Sequence, residues 1–256
     1  MAGRLETSVA IVTAGGQGIG ESICKSFARE GAAVAVVDLN KDDAERVAAD
    51  IRASDGKAIA IACDVTRSEA VTDMVKGVVA AFDTVDILVN AAGGFHQLVP
   101  IAEITDDEWD RVITLNLKTT FLCSRAVAPI MMERKKGRII NIASGSGIAP
   151  NPFAPTYLPY GAAKAGVINL TKILGRDLGP YGITVNAISP GTTATPRVVK
   201  VRDEASRKRI AEQNPMRCLV EPQDTAEAAV FFASADARYI TGVNLNVNAG
   251  NLMFST

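Results

Sequence analysis

The sequence is poor in the residues that would point to metal or disulfide chemistry. It has one histidine, His96, and four cysteines, Cys24, Cys63, Cys123 and Cys218, far apart and without C-x-x-C spacing. Metal ligation needs clustered Cys and His, so no metal is expected, and the thiols read as buried groups in a reducing compartment. Neither sign of charge dominates: 27 Lys and Arg stand against 28 Asp and Glu, a formal net charge of −1. Proteins that grip nucleic acid by neutralising phosphates carry a basic excess, which is missing here. No apolar run approaches the ~18 residues of a membrane span. Met1 to Glu6 lack the apolar stretch of a secretory signal. The expectation is a cytoplasmic protein with neither nucleic-acid nor membrane partners. Linkers rich in Pro, Gly or Ser, long charge blocks and short repeats are also missing, so residues 1–256 are expected to form one domain.

What the chain has in quantity is apolar residues, 48% of the total against 21% charged. A chain of this size buries about three-quarters of its unfolded surface and needs no disulfide or metal to fold. Long disorder, which goes with low hydrophobicity and high net charge, is excluded. The apolar runs 9–12, 33–37, 58–62, 87–89, 138–142, 183–188 and 243–247 read as seven strands. Between the first two lies a helical stretch ending at Arg29-Glu30-Gly31, where Gly31 suits a helix stop. Ala44, Val47, Ala48 and Ile51 then recur at helical spacing. Further helices are predicted around 67–82, 106–130, 158–178 and 222–233, and Thr105 with Glu108 forms a capping-box pattern before 106–130. Near-continuous apolar strands, each followed by a helix, imply a doubly wound parallel α/β sheet with helices on both faces. In such sheets ligands bind beyond the carboxyl ends of the strands, so function is sought there.

After the first strand comes Thr13-Ala14-Gly15-Gly16-Gln17-Gly18-Ile19-Gly20. Small residues let backbone N–H groups approach a pyrophosphate, and the next helix supplies the positive end of its dipole. The spacing is not G-x-G-x-x-G, and alone it also fits a plain tight turn. Asp38, eighteen positions after Gly20, closes the second strand, where a carboxylate can accept both hydroxyls of an adenosine ribose. It could also cap the following helix. Further on, Tyr160-Gly161-Ala162-Ala163-Lys164 sets a phenol and an amine four apart on one helix face. A phenol with an ordinary pKa near 10 is a poor base at neutral pH, and a neighbouring ammonium favours its ionised form. Ser144, in Asn141-Ile142-Ala143-Ser144, stands just after the fifth strand.

Together these residues resemble the short-chain dehydrogenase/reductase family, in its single-domain form of about 250 residues. The likeness spans nearly the whole chain. It extends to Cys63-Asp64-Val65, Asn90-Ala91-Ala92-Gly93, Asn116, Asn186 to Gly191 with Thr195, Ile240-Thr241-Gly242 and Val247-Asn248-Ala249-Gly250. It implies a Rossmann-like fold and an oxidoreductase moving a hydride between NAD and a small secondary alcohol or ketone. Within that pattern Tyr160 is the general acid/base, Lys164 lowers its pKa and holds the nicotinamide ribose, and Ser144 hydrogen-bonds the substrate oxygen. Asn116 would hold a water linking Lys164 to solvent; read without the family, it is a helix-interior amide bonded to backbone. The implied cofactor contacts are Thr13, Gly15, Gln17, Gly18, Ile19 and Gly20 in the loop, then Asp38 and Leu39. Asp64 and Val65 would meet the adenine, and Asn90, Ala91 and Ala92 the adenosine ribose. Pro190, Gly191, Thr193 and Thr195 would line the carboxamide beside Thr192, although Thr192 and Thr193 also read as turn residues. Asp38 favours NAD, since it would face the 2′-phosphate of NADP and only Lys41 lies close along the chain to offset it. A homotetramer is implied, with helices 106–130 and 158–178 as contact surfaces.

Three departures from the family pattern stand out. Ala14 replaces the first glycine of the loop, which a negative φ would tolerate. The fourth-strand motif carries Ala91-Ala92 in place of a second Asn. Ser144 to Tyr160 spans sixteen positions, about three more than usual, with the extra residues in 150–157 read as a stiff loop over the pocket. That longer interval brings in Ser146 and Tyr157 as competitors. Ser144 keeps the expected register after its strand, and Tyr157 has Gly161 rather than lysine four residues on. The stretch around 192–215 is expected to form a lid. Its Arg197, Lys200, Arg202, Arg207, Lys208 and Arg209 either receive a substrate anion or solvate a helix face. His96 either lines the pocket mouth or is an ordinary loop residue. Two other functions fit: reduction of a 3-oxoacyl thioester, mostly NADP-dependent in the family, and a non-catalytic dinucleotide sensor, against which the complete Asn116, Ser144, Tyr160 and Lys164 set stands.

Overall fold

A computed structural model describes residues 3–95, 98–150, 157–201 and 203–252. The strands are β1 (Val9–Thr13), β2 (Ala33–Asp38), β3 (Lys57–Ala62), β4 (Ile87–Asn90), β5 (Gly137–Ile142), β6 (Ile183–Pro190) and β7 (Asn244–Val247). The helices are α1 (Gly18–Arg29), α2 (Lys41–Ala53), α3 (Ser68–Phe82), α4 (Asp106–Ile113), α5 (Thr119–Arg134), α6 (Leu158–Leu178), α7 (Pro196–Val201), α8 (Glu204–Gln213) and α9 (Pro222–Ala233). All seven strands run parallel in the order β3-β2-β1-β4-β5-β6-β7. The doubly wound sheet expected from the apolar runs is present.

Every residue of β1 is buried, because its two faces meet two different cores. Ala10 and Val12 pack with Ile23 and Phe27 of α1 and Val47 of α2, while Val9 and Ile11 join Val75 of α3 and Leu122 and Met131 of α5. A polar thread runs through the sheet as well. Asn90 Nδ2 donates to Asn141 Oδ1 at 2.9 Å and to Ser124 Oγ at 3.2 Å, and Asn141 Nδ2 donates to Thr171 Oγ1 at 2.9 Å. The donors of both amides are thus met, while Asn90 Oδ1 is buried without a partner among the described residues, a cost of about 1–3 kcal/mol.

Helix signals act mostly as read. Thr105 Oγ1 accepts from Glu108 N, fixing the start of α4, but the Glu108 carboxylate is engaged by Arg111 and by the Tyr157 hydroxyl. The cap of α2 is Asn40, which accepts from Asp42 N, so Asp38 is not the cap residue. The helix expected over 106–130 is broken into two by a π turn at Thr114–Lys118 and continues to Arg134.

Strand order reverses between β1 and β4, and such a switch point opens a crevice at the carboxyl ends. Thr13 ties its two sides: its Oγ1 accepts from Ala91 N at 3.0 Å and Ala92 N at 3.2 Å, and donates to Val89 O. In the loop after β1, Ala14 has a φ of +50°, so the condition under which an alanine would sit there without strain is not met. A left-handed L-residue costs about 1–2 kcal/mol, partly offset in a glycine by its larger unfolded-state entropy. Ala14→Gly is therefore expected to stabilise the protein by about 1 kcal/mol, raising Tm by about 2–4 °C in a thermal scan. A lower Tm would mean that contacts of the methyl outweigh the strain.

Candidate active site

Beyond the ends of β4, β5 and β6 lies a cavity of about 370 Å³, and Ser144, Tyr160 and Lys164 all line it. Each is put there by a local rule. Ser144 follows β5 in extended conformation, and its Oγ accepts from Ser146 N at 3.2 Å to start a short 3-10 turn. Tyr160 and Lys164 lie one turn apart on α6, with Nζ 5.7 Å from the ring centroid. Lys164 is 4% exposed, and its Nζ donates to Ile142 O at 2.7 Å. Burial pushes its pKa down to about 8 from the ordinary 10.5.

Asn116 sits in the π turn, fully buried. Its Nδ2 donates to Gly94 O and Val112 O, both at 2.9 Å, and its Oδ1 accepts from Gly94 N at 2.8 Å. The side chain thus adopts the backbone-bonded arrangement and pins the β4 loop to the helix. Gly93 passes between Asn116 and Lys164, where a Cβ would lie 2.7 Å from Asn116 Oδ1 and 3.1 Å from Lys164 Nζ. Only glycine permits that approach.

The competing residues separate cleanly in one case. Tyr157 is buried and donates to Glu108 Oε1 at 2.8 Å, and burial together with that carboxylate pushes its phenol pKa up. Phe95 bridges the two tyrosine rings, with centroids 5.3 Å from Tyr157 and 5.0 Å from Tyr160. Ser146 does line the cavity with Ser144. His96, Arg202 and most of the long loop, 151–156, lie outside the described residues, as does the side chain of Arg197. Lys200, Lys208 and Arg209 are exposed, and Arg207 donates to Val199 O. Helices α7 and α8 meet the cavity through Val198, Ile210 and Gln213.

The crevice around β1 and β2 fits a dinucleotide. Gly15 N donates to Val37 O and Gly16 N donates to Asp38 Oδ2, each at 2.9 Å, while Asp38 Oδ1 accepts from Asn40 N at 3.0 Å. A Cβ at Gly20 would collide with the Ala14 carbonyl, and one at Gly18 would lie 3.3 Å from Thr195 Cγ2. Gln17 is exposed at the start of α1, and Ile19 lines the cavity. The N-terminus of α1, with the positive end of its dipole, opens onto this loop, as anion binding requires. Leu39 is 75% exposed beside Asp38. Asp64 accepts from Thr66 N at 3.0 Å and Thr66 Oγ1 at 2.6 Å, bonds that lower its pKa, and Val65 is buried. Ala91, Pro190, Gly191, Thr193 and Thr195 line the cavity, with Ala92 partly buried beside them. Asn90 is buried and its Nδ2 donates into the sheet, to Ser124 and Asn141. Sequence reading missed Arg46, whose Nη2 donates to Gly16 O at 2.7 Å across thirty residues of chain.

Among the described residues no helix is long and apolar enough to cross a membrane, and no group of His, Cys, Asp and Glu could hold a metal ion. A family profile described as enoyl-(acyl carrier protein) reductase matches residues 13–251. The chain is 40% identical over 245 residues to 3-oxoacyl-(acyl carrier protein) reductase of Staphylococcus epidermidis, covering 95% of this chain and 98% of the relative. It is 34% identical over 251 residues to a (2S)-((R)-hydroxy(phenyl)methyl)succinyl-CoA dehydrogenase subunit of Thauera aromatica, covering 98% and 99%. A crystal structure of 7α-hydroxysteroid dehydrogenase with NADH and 7-oxo glycochenodeoxycholic acid superposes with a TM-score of 0.92 at 32% identity, covering 99% of this chain and 97% of that one. The likeness holds over nearly the whole length in both sequence and fold, and the protein belongs to the short-chain dehydrogenase/reductase family of oxidoreductases.

Proposed function

We propose that the protein interconverts a secondary alcohol and a ketone with NAD, using Tyr160 as the general acid/base. The observation that carries this reading is the convergence of Ser144, Tyr160 and Lys164 on one cavity at the switch point. The nicotinamide supplies or accepts the hydride. Tyr160 gives a proton to the substrate oxygen in reduction and takes it in oxidation. Lys164, charged below about pH 8, favours the phenolate by its proximity. Ser144 already accepts from Ser146 N, so its own proton is free to point at the substrate oxygen. Lys164 and Tyr160 would also hold the nicotinamide ribose, with Thr193 and Thr195 near the carboxamide.

At the other end, Asp38 accepts one backbone N–H on each oxygen, which fixes the carboxylate and leaves lone pairs for two ribose hydroxyls. The same carboxylate opposes a 2′-phosphate, which supports NAD over NADP. Helices α7 and α8 are proposed as the lid. We propose a cytoplasmic homotetramer that associates through α4, α5 and α6, on which Trp109, Phe121 and Ile173 are exposed. A second reading, reduction of a 3-oxoacyl thioester, is favoured by the name of the Staphylococcus epidermidis relative. It changes the substrate and leaves the machinery as described.

Absorbance assays with ketones, secondary alcohols and a 3-oxoacyl thioester, run with both cofactors, decide between these readings. NAD is expected to be favoured at least about a hundredfold in kcat/KM, about 2.7 kcal/mol; equal use of NADP would defeat the Asp38 assignment. Tyr160→Phe is expected to lower kcat by about 10²–10⁴ while NAD still binds. Ser144→Ala is expected to cost about 10²–10³ in kcat, and Ser146→Ala less. The reverse order would transfer the role to Ser146.

Burial of Lys164 also predicts a pH effect on stability without cofactor. Between about pH 8 and its ordinary 10.5 the unfolded chain holds a proton that the folded one has lost. Stability from this group is therefore lowest below pH 8 and rises with pH through that window. Urea unfolding of wild type and Lys164→Met should differ in slope across that window, the variant lacking this rise. Parallel curves would show that the buried amine carries no such penalty.

A further inference from the structure

Behind the glycine loop, α1 and α2 are laced together by four charged side chains. Arg46 Nη1 lies 3.0 Å from Glu21 Oε1 and Nη2 lies 2.9 Å from Glu21 Oε2, a two-pronged pairing. Lys25 Nζ is 2.8 Å from Glu21 and 2.9 Å from Asp50, and Arg46 Nη1 is 3.8 Å from Asp50. Arg46 also reaches forward, donating to Gly16 O at 2.7 Å, while Gly16 N donates to Asp38 at 2.9 Å. One glycine is thus clamped between a carboxylate and a guanidinium. The guanidinium is the group that a phosphate seeks, through paired N–H donors and a permanent charge. It is half exposed at 47%, against 21% for Glu21, so an incoming anion could reach it.

What prevents Arg46 from offsetting Asp38 is its partner. Around Gly16 the charges of Asp38, Arg46 and Glu21 sum to −1, and without Glu21 they would sum to zero. Asp43, in the first turn of α2, adds further negative charge beside Gly16, where an added Cβ would lie 2.7 Å from the Asp43 Cβ. We infer that Glu21 is a specificity-determining residue acting through Arg46: by chelating the guanidinium it keeps the adenosine end hostile to a 2′-phosphate. The inference rests on the reading that Asp38 faces the adenosine ribose.

The test is calorimetric binding of NAD and NADP to the cofactor-free protein, without substrate. Glu21→Gln is expected to raise the NADP-to-NAD affinity ratio about tenfold, the scale for removing one charge several ångströms from a phosphate of about two charges at a protein surface. Most of that gain should vanish in 1 M salt, where the screening length falls to about 3 Å. Glu21→Ala should act in the same direction, and adding Arg46→Met to Glu21→Gln should abolish the gain. Tm is measured alongside, because a purely structural Glu21 would lower Tm and weaken both cofactors equally, leaving the ratio unchanged. That result, or a gain that survives Arg46→Met, overturns the inference. Asp38→Ala separates the two levels of failure. If it shifts the ratio and Glu21→Gln does not, the inference about Glu21 alone is wrong. If neither shifts it, the placement of the ribose at Asp38 is wrong as well.

Discussion

The buried ammonium of Lys164 sets the terms for its surroundings at the carboxyl edge of the sheet. A lysine amine that is 4% exposed has given up most of its hydration, and it carries three donors in need of acceptors. The Ile142 carbonyl at the end of β5 takes one of them. To leave space for the rest, the β4 loop crosses in front as Gly93, where any side chain would strike both Nζ and Asn116. Asn116 in turn holds that loop through Gly94, from a π turn between α4 and α5 where its amide also donates to the Val112 carbonyl. Such turns recur at functional sites. One desolvated cation accounts for a glycine and an asparagine.

The crevice at the ends of β1 and β2 has the opposite character. A fixed carboxylate governs it, and its neighbouring cation is occupied by another acid. The connection between the ends is the loop after β1, where Gly16 answers to Asp38 and Arg46 while Ile19 borders the cavity. Ala14 holds a left-handed conformation in the same loop. Strain of this kind persists only where surrounding contacts over-determine the backbone, and the close fit of Gly20 under the Ala14 carbonyl is such a contact.

The sheet was legible in the sequence because strands buried on both faces read as unbroken apolar runs. The reading fell short mainly at the carboxyl ends, where β1, β4 and β6 run on through Thr13, Asn90 and Ser189. These polar residues stay in the sheet because each finds a partner: Thr13 with the β4 loop, Asn90 with Asn141, Ser189 with Asn244. Apolar patterning thus fades at the strand ends, where polar residues are held by specific partners. Spacing alone put Tyr160 and Lys164 on one face, and the strand register put Ser144 opposite them. Pairings across distant elements left no local trace, which is why Arg46 escaped notice and why the π turn was read as plain helix. The sign of φ at Ala14 was equally hidden, since alanine announces neither turn nor strand.

Two tyrosines three residues apart illustrate how much a helix boundary decides. Tyr157 is the residue before α6, in extended conformation, and its ring is carried toward α4. There its hydroxyl meets Glu108, an anion that opposes ionisation, and burial adds to the effect. Tyr160 lies inside the first turn, on the face that also bears Lys164, so its neighbour is a cation. Phe95 stands against both rings and keeps the two environments apart. A phenol is useful as an acid and base near neutral pH only if something favours its anion, and Tyr157 sits where the anion is penalised. The interval between Ser144 and Tyr160 therefore places Tyr157 where its ionised form is opposed. Its hydroxyl anchors the start of α6 to Glu108, which is paired in turn with Arg111, and so fixes the turn from which Tyr160 projects.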